Sequence, residues 1–239
     1  MIREELAGTR IAVTGATGFL GTALVERLLR AVPGCEVAVV VRPGRRTPAP
    51  ERVRREILRN DCFARLRREL GEGFDAEVSR RLVAVAGDVS VDGLGLDGAG
   101  REVLAGCRTV IHAAAAVAFD SPLDAAVEVN LLGPARVAEA VASAGGQAHV
   151  IAVSTAYVAG TRRGAAPEAL LGDTAYAIDV PWRAEVDAAR RARADAEAAS
   201  RLPDALSRFH RKARAELGAA SVPLLAERTE RAREDWLRQ

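Results

Sequence analysis

Lysine is almost missing from this chain: Lys212 stands alone among 34 basic residues, the others all being arginine. Any chemistry that needs a lysine beside its working group has one position to draw on. An excess of charge of one sign is missing too. The 34 basic and 32 acidic residues leave a formal net charge of +2, so there is no electrostatic case for nucleic acid as a partner. Long apolar runs are absent. Val110 to Phe119 is the longest candidate, about half of the ~20 residues a membrane helix needs, and it reads better as a strand end and a loop. No transmembrane segment is therefore expected. The N-terminal Met1-Ile-Arg-Glu-Glu-Leu is charged and lacks the apolar stretch of a signal peptide. Cysteine is scarce: Cys35, Cys62 and Cys107 are scattered and odd in number. They suggest neither a disulfide framework nor a zinc site, and fit free thiols in a reducing cytoplasm.

What is present is enough apolar material for one sizeable core, or one core with a helical appendage: 49% of 239 residues are hydrophobic. Short β-branched runs alternate with longer helical patterns over the first two-thirds, which argues for a parallel sheet covered by helices. The strands expected are Arg10–Thr14, Glu36–Val41, Leu82–Gly87, Thr109–His112 and His149–Ser154. All are near-continuous apolar runs, as strands buried on both faces should be. Between the first two, Leu20, Leu24, Val25, Leu28 and Leu29 fall on one helical face. Arg52 to Leu70 reads as one charged helix over a seam of Val53, Ile57, Leu66 and Leu70. Another helix follows Ser121-Pro122 and runs to about Ala144, with Pro134 as a kink or division. After Gly160 the texture becomes loop-like as far as Pro181. Three stretches rich in alanine, arginine and glutamate follow, Arg183–Arg201, Asp204–Gly218 and Leu224–Gln239. They are helical by propensity, and their thin apolar faces suggest packing on something else. The expected division is a dinucleotide-binding domain over residues 1–160 and an incomplete helical insertion or extension over 161–239.

Thr14-Gly15-Ala16-Thr17-Gly18-Phe19-Leu20-Gly21 directly follows a strand and opens a helix. Gly15 permits the tight turn, Gly18 lets a pyrophosphate approach the backbone, and Gly21 allows close helix–strand packing. The helix N-terminus offers free N–H groups to the phosphates. A glycine triplet alone is weak evidence; the strand–loop–helix context makes this one strong. An acidic residue ending the second strand would bind a ribose 2′-OH and favour NAD, whereas an arginine accommodates a 2′-phosphate. Here the strand ends in Arg42, followed by Gly44-Arg45-Arg46, with no carboxylate in place. The expected cofactor is NADPH, with Arg42 as the main 2′-phosphate partner and Arg45 or Arg46 as a second. The alternative is that these arginines only solvate a loop.

The third strand ends Gly87-Asp88-Val89, where Asp88 can accept from an adenine amino group and Val89 can pack on the ring. The fourth ends His112-Ala113-Ala114-Ala115, small residues against which a cofactor can lie. His112 is open to two roles, a satisfied core histidine against the cofactor wall or a direct catalytic one. Asn130 can bridge backbone and active-site water, or bond only to its own neighbourhood.

These segments follow one order at sensible spacing, together with Phe119-Asp120-Ser-Pro-Leu123, Val129-Asn130-Leu-Leu-Gly133 and Val153-Ser-Thr-Ala-Tyr-Val158. The series resembles the fatty acyl-CoA reductases, also called male-sterility-type reductases, of the extended short-chain dehydrogenases. The thioester-reductase domains of peptide synthetases and carboxylic acid reductases are close relatives of these. The likeness covers roughly residues 8 to 160 and implies a Rossmann-type doubly wound parallel α/β sheet with a C-terminal helical extension. It also implies NADPH-dependent reduction of an acyl-CoA or acyl-carrier-protein thioester to an aldehyde or alcohol. Thr155 then matches the hydroxyl that polarises the carbonyl, Ser154 lines the nicotinamide site, and Tyr157 belongs to the substrate pocket unless it only packs.

The family's Tyr-x-x-x-Lys pair, which supplies the proton, is not in the sequence. Tyr157 and Tyr176 are followed four positions on by Thr161 and Val180, and Lys212 is preceded by Arg208. Two explanations stand. The chain ends inside a helical pattern without a stop signal, as a cut reductase would; or it is a naturally dyad-free NADP-binding or regulatory module. In either case these residues alone are expected to lack turnover. A sugar-nucleotide epimerase or dehydratase is a third reading, opposed by Arg42 and by the absence of a nearby catalytic tyrosine. Oligomeric state and acyl chain length are not legible.

Overall fold

The structure is a computed structural model that describes residues 2–118, 121–174, 176–177, 179–217 and 224–238. It divides into two compact units, residues 1–115 with 128–162, and residues 116–127 with 163–239.

The first unit is built on five parallel strands, β1 (Arg10–Thr14), β2 (Glu36–Val41), β3 (Leu82–Ala86), β4 (Thr109–His112) and β5 (His149–Ala152), in the spatial order β3-β2-β1-β4-β5. This is a doubly wound parallel sheet, and its order reverses between β1 and β4. Register pairs Thr14 with Val40 on one side and with His112 on the other, so the carboxyl ends of these strands lie level. Side chains alternate between two cores, as the two-residue period of a strand requires. Ile11, Val13, Val37 and Val39 meet the helix after β1 in one, and Ala12, Ala38, Val40 and Val110 meet Leu94, Leu104 and Val137 in the other.

Helices α1 (Ile2–Glu5), α2 (Phe19–Ala31), α3 (Ala49–Arg52), α4 (Ala64–Leu70), α5 (Phe74–Arg81) and α6 (Gly98–Ala105) precede β4. In α2 the buried face is Gly21, Thr22, Val25, Leu28 and Leu29. Leu20, expected on that face, is 45% exposed. Burial of Val25, Leu28 and Leu29 contributes about 1.5–3 kcal/mol each. The carboxyl end of α2 is held by Arg81, whose buried guanidinium donates to the carbonyls of Leu29, Val32 and Cys35 at 2.7–2.8 Å.

The single helix expected over Arg52–Leu70 is broken. A π-helical turn, Val53–Leu58, follows α3, and the chain restarts at Asn60, whose side chain accepts from the Cys62 N–H at 2.9 Å. The asparagine offers the backbone a local bond that competes with a continuous helix. The helix expected up to Ala144 is likewise in pieces: α7 (Leu123–Ala126), a π-helical turn Val127–Leu131, and α8 (Leu132–Ser143). Pro134 has no N–H to give the Asn130 carbonyl, which removes the regular bond at this point. β5 is an edge strand and largely exposed, with Ile151 at 43%, so it is not buried on both faces as the sequence suggested. The residues expected in β3 and β5 beyond Ala86 and Ala152 lie outside the strands.

In the second unit, α9 (Trp182–Ser200), α10 (Pro203–Leu217) and α11 (Leu225–Leu237) follow a mostly irregular segment. The thin apolar faces of α10 and α11 close on each other: Ala205, Phe209 and Ala232 form a small core, and the Phe209 and Trp236 rings lie 5.9 Å apart; α9 also packs on α7. Arg233 joins the helices by donating to Glu197 at 2.9 Å and to Ser200 at 3.1 Å.

Candidate functional site

Ligands of doubly wound sheets bind outside the carboxyl ends of the strands, at the reversal of strand order. Here that point lies between β1 and β4. Gly15 has φ +71°, and a Cβ there would stand 2.5 Å from the backbone of Ala113 and Ala114. The glycine therefore serves the turn and the contact with the β4 loop together. A Cβ on Gly21 would stand 2.1 Å from the Gly15 carbonyl oxygen, so α2 can meet the loop this closely only through glycine. Gly18 differs. A Cβ on it would meet only the Gly15 oxygen, at 3.3 Å, leaving open space above the loop. Gly18 is also the N-cap of α2 and provides no side-chain cap. The first-turn amides, from Phe19 to Gly21, have no partner inside the helix. An uncapped helix start beneath an open glycine fits a pyrophosphate. Phe19 itself is 98% exposed, so its place in the loop is a backbone one.

Beneath the loop, Thr14 Oγ1 and His112 Nδ1 lie 2.7 Å apart, both residues being buried. The Ala114 N–H donates to the same hydroxyl at 3.3 Å. The hydroxyl thus binds the β4 loop through the Ala114 N–H and the His112 ring through Nδ1, and it can donate to or accept from that nitrogen according to the imidazole tautomer. Burial pushes the His112 imidazole below its ordinary value, which favours the neutral ring.

At the ends of β2 and β3, the Arg42 guanidinium lies 3.7 Å from the Asp88 carboxylate. Asp88 Oδ1 accepts from both the N–H and the hydroxyl of Ser90, at 2.9 and 2.7 Å. The Asp88 N–H donates to the Leu94 carbonyl at 2.9 Å. Leu94 is fully buried and has φ +56°, a left-handed conformation rare for leucine and costing on the order of 1–3 kcal/mol. Val89 packs in the second core beside Gly133.

β5 continues its pairing through the Val153 N–H, which donates to the His112 carbonyl at 2.8 Å. Ser154 and Thr155 thus follow directly at the carboxyl end of β5, both exposed. Thr155 Oγ1 accepts from the Tyr157 N–H at 3.0 Å, and Tyr157 is 82% exposed. Asn130 lies in the π-helical turn and is exposed.

The structure therefore brings Thr14, Gly15, His112, Ala113 and Ala114 into contact, and Arg42 with Asp88. Arg45 and Arg46 sit on an exposed loop. Phe119 and Asp120 lie outside the described residues. The sequence reading missed Thr22, whose hydroxyl holds the loop through the Ala16 carbonyl at 2.9 Å. It also missed Arg52, which donates to the Arg42 carbonyl. A hydroxyl next to the third glycine was the available signal for Thr22; none existed for Arg52. The Cys107 thiol is buried and pushed up to about 11, chiefly by burial, so it is no ready nucleophile. Among the described residues, no helix is long and apolar enough to cross a membrane.

A family model described as "Male sterility protein" matches residues 13–213. The chain is 36% identical over 167 residues to fatty acyl-CoA reductase 8 of Arabidopsis thaliana, covering 68% of this chain and 34% of that protein. With fatty acyl-CoA reductase 1 of Rattus norvegicus it is 36% identical over 133 residues, covering 55% of this chain and 25% of that one. The aligned stretch thus spans about a third of the curated relatives it matches, or less. Among solved structures, the terminal R domain from the myxalamid PKS-NRPS biosynthetic pathway superimposes with a TM-score of 0.51 at 27% identity, covering 66% of this chain and 38% of that one.

Proposed function

The chain belongs to the male sterility protein family, and from that membership we propose that its residues 1–160 bind NADPH for the reduction of a fatty acyl thioester, carried on CoA or on an acyl-carrier protein. NADPH would supply the hydride. The observation that carries this reading is the uncapped, open glycine turn over α2, set beside the Arg42–Asp88 pair.

Each residue has a role that its place supports. The α2 amides hold the pyrophosphate. Arg42 takes the 2′-phosphate through its planar guanidinium, with Arg45 as a second cation, and Asp88 accepts from adenine. Thr14 and His112 hold the glycine loop to the β4 end, where Ala113 and Ala114 form the wall. Val89 and Asn130 complete the two sides. Thr155 polarises the thioester carbonyl, Ser154 lines the nicotinamide side and Tyr157 faces the acyl substrate. No tyrosine in these residues has a lysine four positions on. So the 239 residues bind cofactor without passing a proton to the carbonyl oxygen. Residues 161–239 are a helical insertion or extension.

A thermal unfolding series tests this. NADPH in excess should raise the midpoint, as any ligand selective for the native state does, and NADH at equal concentration should raise it less. No shift with either would remove the cofactor reading. The absent Tyr/Lys pair supports a second reading, a non-catalytic NADP-binding module, which the same shift would leave in place.

A further inference from the structure

Arg136 is 8% exposed, on α8. A buried guanidinium must be paired and hydrogen-bonded. Arg136 meets that need with two segments at once. Its Nε donates to Asp92 Oδ1 at 2.8 Å, one terminal nitrogen donates to the Glu128 carbonyl at 3.0 Å, and the other to Glu128 Oε2 at 2.6 Å.

Both segments carry candidate cofactor residues. Asp92 opens the tight turn Asp92–Gly95, in which Gly93, Leu94 and Gly95 all have positive φ. The strained Leu94 carbonyl of this turn is what the Asp88 N–H bonds to. Glu128 lies in the π-helical turn, two residues before Asn130, where the regular helical ladder is interrupted. The Asp92–Gly95 turn packs on α8 through the buried Leu94, and the π-helical turn runs directly into the same helix, so Arg136 adds a polar tie where both segments adjoin α8. A left-handed leucine persists only where its surroundings over-determine it.

We propose that Arg136 is a positioning residue that fixes the Asp88 loop and the Asn130 turn relative to each other, so that the two ends of NADPH meet a preset cleft. The planar fork suits this, since one lysine ammonium could not span both partners in fixed geometry. The proposal rests on the cofactor reading above.

The test uses the full chain with two variants. Arg136→Met keeps the apolar stem and removes both arms. Asp92→Ala removes the loop arm alone, and the Asp92 side chain is 95% exposed, so this variant should fold. Hydrogen exchange in the ligand-free protein should quicken by roughly tenfold at residues 88–96 and 128–131 in Arg136→Met, and at 88–96 only in Asp92→Ala. By calorimetry Arg136→Met should weaken NADPH by roughly five- to tenfold and the half-ligand adenosine 2′,5′-bisphosphate less. Asp92→Ala should weaken both ligands equally. Exchange unchanged in the two segments, or raised evenly through the chain, would overturn the proposal, as would equal loss of both ligands in Arg136→Met. Altered exchange in a chain that binds no dinucleotide even as wild type would overturn the cofactor reading and the cofactor role of Arg136, while leaving the mechanical tie between the segments established.

Discussion

The guanidinium of Arg42, just beyond β2, stands 3.7 Å from the carboxylate of Asp88, just beyond β3. Two roles that the sequence assigns to opposite ends of one adenosine are thus side by side. The pair is loosely held: the Arg42 side chain is 70% exposed and that of Asp88 25%. Exposed pairs at this distance contribute under ~1 kcal/mol, so Asp88 aims Arg42 without immobilising it. The discrimination between NADPH and NADH should then be electrostatic and screened. Its measure is the ratio of the two affinities, which should shrink severalfold between about 0.05 and 0.5 M salt as the Debye length falls from above 10 Å towards a few ångströms. A ratio that does not change would place the discrimination elsewhere.

The tie between Thr14 and His112 should show in stability and in its pH dependence. Thr14→Val leaves the buried Nδ1 without its partner and should cost about 1–3 kcal/mol. Because burial depresses the imidazole, the native state binds fewer protons than the unfolded chain once the pH falls below the ordinary histidine value. This contribution is therefore whole above about pH 6.5. It is lost as the pH drops through the depressed folded value. Urea midpoints should fall between pH 7.5 and 5, and His112→Gln should flatten that slope. An unaltered slope in the variant would remove His112 as its source.

Two glycines give a sharper contrast. Gly21→Ala drives a methyl to within 2.1 Å of a backbone oxygen, so the loop must move. A loss of about 1–3 kcal/mol or more is expected, together with cofactor binding. Gly18→Ala meets one atom at 3.3 Å. It should fold with a change under ~1 kcal/mol and still bind NADPH poorly, because the methyl fills the phosphate's approach. Denaturant midpoints and calorimetry on both variants separate the two roles; equal behaviour would contradict them.

Turnover is the fourth expectation. With NADPH and a long-chain acyl-CoA, the purified 239 residues should yield no aldehyde or alcohol above background. Sustained product would mean that another group protonates the carbonyl oxygen.

Much of this was legible because strands buried in a parallel sheet leave plain marks. Arg10–Thr14, Glu36–Val41 and Thr109–His112 are bounded in the structure where their apolar runs begin and end. The glycine loop was legible because a missing Cβ is itself written in the sequence. Helix continuity was not, since Asn60 and Pro134 act through single backbone bonds that periodicity averages away. β5 looked as apolar as its neighbours, yet its exposure depends on what packs against an edge, which is a tertiary property. Arg136 could not be singled out among 34 basic residues, because its partners are 44 and 8 positions away. Leu94 in a left-handed conformation was equally hidden; only the flanking glycines hint at it.

The most direct measurement is calorimetric titration of NADPH and NADH into the wild-type chain and into Arg42→Ala. The expected result is tight NADPH binding, weaker by about 1–3 kcal/mol in Arg42→Ala, with NADH weak in both. NADH binding as tightly as NADPH, or Arg42→Ala leaving NADPH unaffected, would contradict it.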